Sequence, residues 1–314
     1  MTTELNPQAK EFLKRMEEKG GLPSHALSVD GARESLNQLL ITDDAEPVGE
    51  VRDLTVSGPS ERGVPIRIYT PEGSGPFPVL VYFHGGGWVK GNLETHDDLC
   101  RSLTNDIGVA TVSVEYRRPP EHPFPAGLED CYAVTQWVAE YADAFDGDPD
   151  KIAVGGESAG GNLAAAVSLL ARDRGGPSID HQILLYPVLD RDLERRSYEE
   201  KGEDYNLTTS SMQWYWNHYL ADEVDAKNPY AAPLQARKLS NLPRATVVTC
   251  GFDPLHDEGV LYAERLDSAD VPIRLLDYEG QIHGFISFPD HMDQALELRE
   301  ELAAALHETF DMEP

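Results

Sequence analysis

Cysteine is scarce in this chain of 314 residues, and long apolar runs are missing. The three cysteines, Cys100, Cys131 and Cys250, are odd in number and far apart, so neither a disulfide framework nor a catalytic thiol is indicated. No uninterrupted apolar run approaches the ~20 residues needed to span a bilayer. Residues 1–20 are polar and charged and lack the apolar core of a signal peptide. We therefore expect a cytoplasmic protein without membrane insertion.

Positive charge is also scarce. Lys and Arg number 26, of which eight are lysines, against 55 Asp and Glu, so the formal net charge is −29. This charge argues against nucleic acid or an anionic membrane as a partner. Because the acids are dispersed and 40% of residues are hydrophobic, a disordered acidic chain is not expected. We expect a folded surface adapted to high salt, where the Debye length falls to about 3 Å, with an ordinary acidic protein as the alternative.

Residues 156–160 read Gly-Glu-Ser-Ala-Gly, directly after an apolar run and before an Ala-rich segment. A serine at the centre of G-x-S-x-G between a strand and a helix is typical of a nucleophile elbow. The flanking glycines let the strand and helix approach, and the helix N-terminus would face a developing anion. This pattern predicts Ser158 as a nucleophile. Taken alone it is weak, because a glycine-rich helix entry with a capping serine has the same appearance.

A second motif, His84-Gly85-Gly86-Gly87-Trp88, follows the apolar run at 79–83. Three consecutive glycines are costly in chain entropy, which indicates a backbone requirement. One such requirement is to direct successive N–H groups at an oxyanion, and the predicted donors are Gly86, Gly87 and Ala159. A flexible loop or a phosphate loop is the alternative, but no Gly-Lys-Ser/Thr or G-x-G-x-x-G pattern accompanies the motif.

Two further residues follow strand-like runs. Asp253 comes just after the run at 245–250, and His283 comes shortly after the run at 273–278. Asp257 and Glu258 are alternative candidates for the acid that orients the histidine, but they are better placed in the first turn of the next helix. The chain order Ser158, Asp253, His283 is the order of the nucleophile, acid and base in α/β-hydrolases.

The chain resembles the hormone-sensitive-lipase family of α/β-hydrolase esterases, also called bacterial lipase family IV. The resemblance spans roughly residues 77–288. It departs from the family at Arg118-Pro119, where Leu-Ala is more common, and at Glu157, where many members have Asp. The matching stretches are His84-Gly85-Gly86-Gly87-Trp88, Tyr116-Arg117, residues 120–126, residues 156–161, Asp253-Pro254-Leu255 and His283-Gly284-Phe285.

The predicted fold is α/β: an α/β-hydrolase fold with a mainly parallel central sheet flanked by helices and a helical cap. Helical spacing predicts two helices before residue 46 and an aromatic one at 212–219. The expected division is 1–46 for N-terminal cap helices, 47–188 for the first part of the core, 189–224 for a cap insertion and 225–314 for the second part. The predicted strands are 48–54, 64–69, 79–83, 110–115, 152–155, 183–186, 245–249 and 273–278.

The resemblance implies that the cap shapes an acyl pocket, with Trp88, Val89, Leu207 and Phe285 as candidate lining residues. His84 and His122 are expected to brace loops, and Glu157 is expected to be a surface or salt-bridging residue. No cofactor is expected, and neither H-E-x-x-H nor a paired-Cys cluster indicates a metal. The family also implies a possible homodimer through an edge strand.

These observations predict a carboxylesterase for short- to medium-chain acyl esters, which works through a Ser-His-Asp triad and an acyl-enzyme and takes a small-molecule ester as its partner. Three alternatives stay open. The same triad would serve a serine amidase or peptidase, and it would equally serve a lactonase or arylesterase. A non-catalytic small-molecule receptor can arise on this fold by loss of the histidine, and the presence of His283 counts against it.

Overall fold

One eight-stranded sheet forms the centre of the protein in the computed structural model, which describes residues 4–312. The ends of the predicted first and last segments, residues 1–3 and 313–314, lie outside the described residues. The strands are β1 (Glu50–Val56), β2 (Val64–Thr70), β3 (Phe77–Phe83), β4 (Ala110–Val114), β5 (Gly147–Glu157), β6 (His181–Leu185), β7 (Arg244–Phe252) and β8 (Ile273–Ile282).

The strand order is β1-β2-β4-β3-β5-β6-β7-β8, and the six strands from β4 to β8 in this order run parallel. The antiparallel pairs are β1 with β2 and β2 with β4. The prediction of a mainly parallel sheet in an α/β-hydrolase fold is confirmed. Because the carboxyl ends of parallel strands meet at one edge, residues that follow β3, β5, β7 and β8 are brought together there.

Two hydrophobic cores cover the two faces of the sheet, which explains why its inner strands are apolar almost without interruption. Five helices are packed against it in the alternation that the sequence predicts. They are α3 (Asp97–Ile107), α4 (Ala126–Tyr141), α5 (Ala159–Arg174), α8 (His256–Asp267) and α9 (Gln294–Phe310). All three cysteines are buried and unpaired.

Four helices lie outside this alternation: α1 (Pro7–Glu18), α2 (Val29–Leu40), α6 (Arg196–Lys201) and α7 (Thr209–Tyr219). The N-terminal segment contacts α7, because Tyr215 donates to Ser24 Oγ over 2.7 Å and His25 Nδ1 lies 3.2 Å from Ser211 Oγ. Within residues 4–312 no helix has the length and apolar character required to cross a membrane.

The start of α5 is held very close to β3 by two glycines. A Cβ on Gly160 would lie 1.8 Å from the carbonyl oxygen of Phe83, and one on Gly156 would lie 2.3 Å from the same atom. No side chain fits in this space, so the G-x-S-x-G spacing has a steric cause. The helix N-terminus is thereby placed at the edge where the strands end.

Candidate active site

Ser158 lies in the sharp turn between β5 and α5. Its φ of 56° and ψ of −116° are strained for a residue with a side chain. Backbone hydrogen bonds fix this conformation: Ser158 N–H donates to Leu185 over 2.8 Å, and the Ser158 carbonyl accepts from Val188 over 3.2 Å. Ser158 therefore has the backbone of a nucleophile elbow.

His283 follows β8 and bridges Ser158 and Asp253. Its Nε2 lies 2.9 Å from Ser158 Oγ, and its Nδ1 lies 2.7 Å from Asp253 Oδ2. The other oxygen of Asp253 accepts from Leu255 N–H over 2.9 Å. Since an ionised carboxylate only accepts, Nδ1 donates to Asp253 and Nε2 is left to accept the serine proton. Such an arrangement can deprotonate Ser158 as it attacks an electrophile.

The two competing acids face other partners. Asp257 accepts from Ser197 N–H over 3.0 Å, and Glu258 accepts from Leu189 N–H over 2.7 Å. Both residues lie in the first turn of α8, where the sequence places them. Asp253 is thus the acid that the structure places against His283.

The glycine loop after β3 has left-handed backbone at Gly86 (φ 106°) and Gly87 (φ 60°). The Gly86 carbonyl accepts from Lys90 N–H over 2.9 Å, which closes a tight turn. Among residues 4–312, no backbone hydrogen bond uses the N–H groups of Gly86, Gly87 or Ala159 as donors. Three unused donors close to a helix N-terminus can stabilise an anion.

His84 braces this loop, as predicted from the sequence. Its Nδ1 lies 2.8 Å from the Gly85 carbonyl, and its ring is stacked on Tyr116 at a centroid distance of 4.2 Å. Tyr116 in turn donates to the carbonyl of His84 over 2.8 Å. Burial, reinforced by His96, lowers the pKa of His84 well below its usual value, so the ring is neutral. His122, which was expected to brace a loop as well, is exposed and, within the described part of the chain, lacks the burial and ring stacking of His84.

Glu157 lies at a place that the sequence did not predict. The expected surface position is wrong, because the residue is only 7% exposed at the end of β5. The salt-bridging alternative agrees with the structure: Glu157 Oε1 lies 2.8 Å from His96 Nε2. Its place at the end of a strand with helices on both faces was the signal available in the sequence.

The four candidate pocket residues divide between the two cores. Trp88, Val89 and Leu207 belong to one core, where Trp88 is stacked on Tyr219 at a centroid distance of 4.0 Å. Phe285 belongs to the other. Trp88, Val89 and Phe285 are fully buried and Leu207 is 8% exposed, so their role in binding stays a prediction.

No group of three or more His, Cys, Asp or Glu side chains within the described ranges is arranged to hold a metal ion. A profile of the alpha/beta hydrolase fold family matches residues 80–287. The chain belongs to this family.

This α/β-hydrolase is 44% identical over 244 residues to the carboxylic ester hydrolase LipN of Mycobacterium tuberculosis; the match covers 76% of this chain and 65% of LipN, just under two thirds of the length of that relative. It is 38% identical over 283 residues to the esterase LipI of the same organism, covering 86% and 87% of the two chains. The solved ester-hydrolase EH1AB1 from the metagenome of Lake Arreo matches with a TM-score of 0.93 at 36% identity, covering 98% of this chain and 100% of that one.

Two residues near His283 in this α/β-hydrolase were not singled out from the sequence. Tyr186 follows β6 and its ring packs edge-to-face against the imidazole, with centroids 4.8 Å apart. Asn206 donates to the carbonyl of His283 over 2.9 Å. Tyr186 lies at the end of a predicted strand, which is a usable signal, whereas no sequence pattern marks Asn206.

Proposed function

We propose that this α/β-hydrolase is a carboxylesterase with Ser158 as nucleophile, His283 as general base and Asp253 as the acid that orients it. The observation that carries the proposal is the continuous hydrogen-bonded chain from Ser158 Oγ through both ring nitrogens of His283 to Asp253, with distances of 2.9 and 2.7 Å. The ester-hydrolysing relatives support the substrate class.

The reaction proceeds in two steps. Ser158 Oγ attacks the ester carbonyl while its proton moves to His283 Nε2, and Asp253 stabilises the imidazolium that forms. The oxyanion accepts hydrogen bonds from the N–H groups of Gly86, Gly87 and Ala159. The tetrahedral intermediate collapses, and His283 protonates the departing alcohol. Water then attacks the acyl-enzyme with the same base, which releases the acid and restores Ser158.

Short- to medium-chain acyl groups are the proposed substrates. Next to the glycine loop, Trp88 packs against the rings of Trp216 and Tyr219, with centroids 4.8 and 4.0 Å away. A Cβ on Gly87 would lie 2.2 Å from Tyr215, so α7 leaves little space above the loop. We assign α7 and the N-terminal helices to a cap that limits the acyl chain and excludes water.

Adaptation to high salt is the second part of the proposal. The net charge of −29 makes the folded surface repel itself in dilute buffer. At molar salt this repulsion is screened beyond about 3 Å. We therefore expect the optimum for stability and activity in concentrated KCl or NaCl.

The test is hydrolysis of p-nitrophenyl acetate, butyrate, octanoate and palmitate in molar KCl, by the wild type and by Ser158→Ala. The expected result is strong acetate and butyrate turnover that falls at least about 10³-fold in the variant. Activity that survives in Ser158→Ala places the nucleophile elsewhere. A folded wild type that cleaves p-nitroanilides but no ester contradicts the esterase and supports the amidase alternative.

A further inference from the structure

Glu157, the residue immediately before Ser158, has both carboxylate oxygens engaged in the interior. Oε1 lies 2.8 Å from His96 Nε2, and Oε2 accepts from the hydroxyl of Tyr186 over 2.9 Å. The carboxylate also packs against the glycine loop, since a Cβ on Gly85 would lie 2.6 Å from Oε1. One side chain therefore contacts the glycine loop, the residue just before α3 and the residue just after β6.

Tyr186 connects this carboxylate to His283. Its hydroxyl is held by Glu157, while its ring packs edge-to-face against the imidazole. The backbone of Tyr186 has a φ of 35°, which is unfavourable for a residue with a side chain, and its N–H donates to Val248 over 2.8 Å. The residue is thus held by Glu157 at its hydroxyl and by Val248 at its backbone, while its ring contacts His283.

The groups that face Glu157 come from several elements. Ser287 Oγ lies 3.5 Å from Oε2, and the titratable neighbours are Tyr82, His96, Cys100, Tyr186 and His283. Burial raises the pKa of Glu157, but the hydrogen bond and charge of His96, the hydrogen bond from Tyr186 and the attraction of His283 together lower it below its usual value. The carboxylate is ionised at neutral pH.

We propose that Glu157 is a positioning residue of the reaction: its buried carboxylate orients Tyr186 against His283 and favours the imidazolium that forms when Ser158 attacks. The inference rests on the proposed function, in which His283 becomes protonated in each step. Asp253 supplies the direct contact to Nδ1, and Glu157 adds a second negative charge on the side of Tyr186. Water does not screen this charge because the residue is 7% exposed.

The experiment is the pH dependence of kcat and kcat/KM for p-nitrophenyl acetate in Glu157→Gln, Glu157→Asp and Tyr186→Phe. Glu157→Gln keeps the shape and removes the charge. Because protonated His283 loses an attraction, the acid limb of kcat/KM moves to lower pH by roughly half a unit to one unit, and plateau kcat falls about tenfold with KM nearly unchanged. Glu157→Asp keeps the charge and returns the acid limb toward wild type. Tyr186→Phe keeps the charge of Glu157 but releases the ring from it, so plateau kcat falls while the acid limb moves less than in Glu157→Gln.

Asp180→Asn is the matched control. Asp180 is likewise a hydrogen-bonded carboxylate, since it accepts from the N–H of Ile152 on β5 over 2.9 Å, but it lies just before β6, at the end of the sheet remote from Ser158. The acid limb of kcat/KM in Asp180→Asn is expected to stay at the wild-type pH. A folded Glu157→Gln with a wild-type pH profile and kcat overturns the inference. If that variant does not fold, a wild-type kcat in Tyr186→Phe overturns it instead. Activity remaining in Ser158→Ala, by contrast, refutes the proposed function itself.

Discussion

Arg33 of α2 donates from Nε to the carbonyl oxygen of Val89 over 3.0 Å, inside the loop that carries Gly86 and Gly87. The same guanidinium forms a bidentate pair with Glu121 at 2.7 and 2.6 Å. A single side chain thus joins the N-terminal helices to the glycine loop. Two of the three N–H groups proposed to bind the oxyanion, those of Gly86 and Gly87, belong to this loop.

Replacing Arg33 by methionine is expected to lower kcat about tenfold and the free energy of unfolding by roughly 1–3 kcal/mol. The substitution leaves the Val89 carbonyl without its donor, so the loop loses its preferred orientation. Steady-state kinetics and urea unfolding measure the two effects. Arg15→Met is the matched control, because Arg15 pairs with Glu11 on the exposed face of α1 and its loss costs at most about 0.5 kcal/mol. Equal losses in both variants contradict the role of Arg33.

Contacts of this kind could not be predicted from the sequence. Arg33 and Glu121 are separated by 88 residues, and no local periodicity connects them. The strands, by contrast, were predictable because each inner strand is apolar on both faces, and Ser158 was predictable because its glycines have a steric cause. The sequence could not predict the surroundings of Glu157. A charged residue is expected to be exposed unless the elements that cover it are known, and here these elements come from distant parts of the chain.

Gly87→Ala is expected to reduce kcat by about 10²–10³-fold. A Cβ at this position would lie 2.2 Å from Tyr215, so either α7 or the loop must move, and the N–H donors move with the loop. Gly175→Ala is a close control: Gly175 has nearly the same backbone (φ 61°), and nothing lies within 4 Å of its Cβ position. Gly175→Ala is expected to lower the free energy of unfolding by the same conformational cost, about 1–2 kcal/mol, and to leave kcat unchanged. Wild-type turnover in Gly87→Ala refutes the assigned role of the loop.

His181, the first residue of β6, is expected to make stability fall in acid. Burial, with a smaller effect of Arg244, lowers the pKa of His181 to about 4, whereas an unfolded histidine titrates near 6.5. Between these values the unfolded chain binds more protons. The contribution of His181 to the free energy of unfolding is therefore fully present above about pH 6.5. It is lost as pH falls toward 4, by up to roughly 3 kcal/mol.

Urea unfolding at pH 7 and pH 4.5, at constant KCl, measures this loss. His181→Gln removes the titrating group and is expected to lose less stability than the wild type over the same interval. His122→Gln, at an exposed histidine, is expected to lose as much as the wild type. An equal acid sensitivity of His181→Gln and the wild type would show that other groups dominate.

Salt is expected to stabilise this protein because repulsion among its acids opposes the folded state. The melting temperature should rise by several degrees between dilute buffer and molar KCl, as the Debye length falls from about 30 Å at 0.01 M to about 3 Å at 1 M. Sucrose is an uncharged osmolyte that is excluded from the protein surface, so comparing sucrose with KCl distinguishes charge screening from solute exclusion. A fourfold variant that neutralises the exposed acids Asp43, Asp44, Glu61 and Glu72 as amides should melt higher than the wild type in dilute buffer and gain less from KCl. Highest stability of the wild type in dilute buffer contradicts the proposed adaptation to salt.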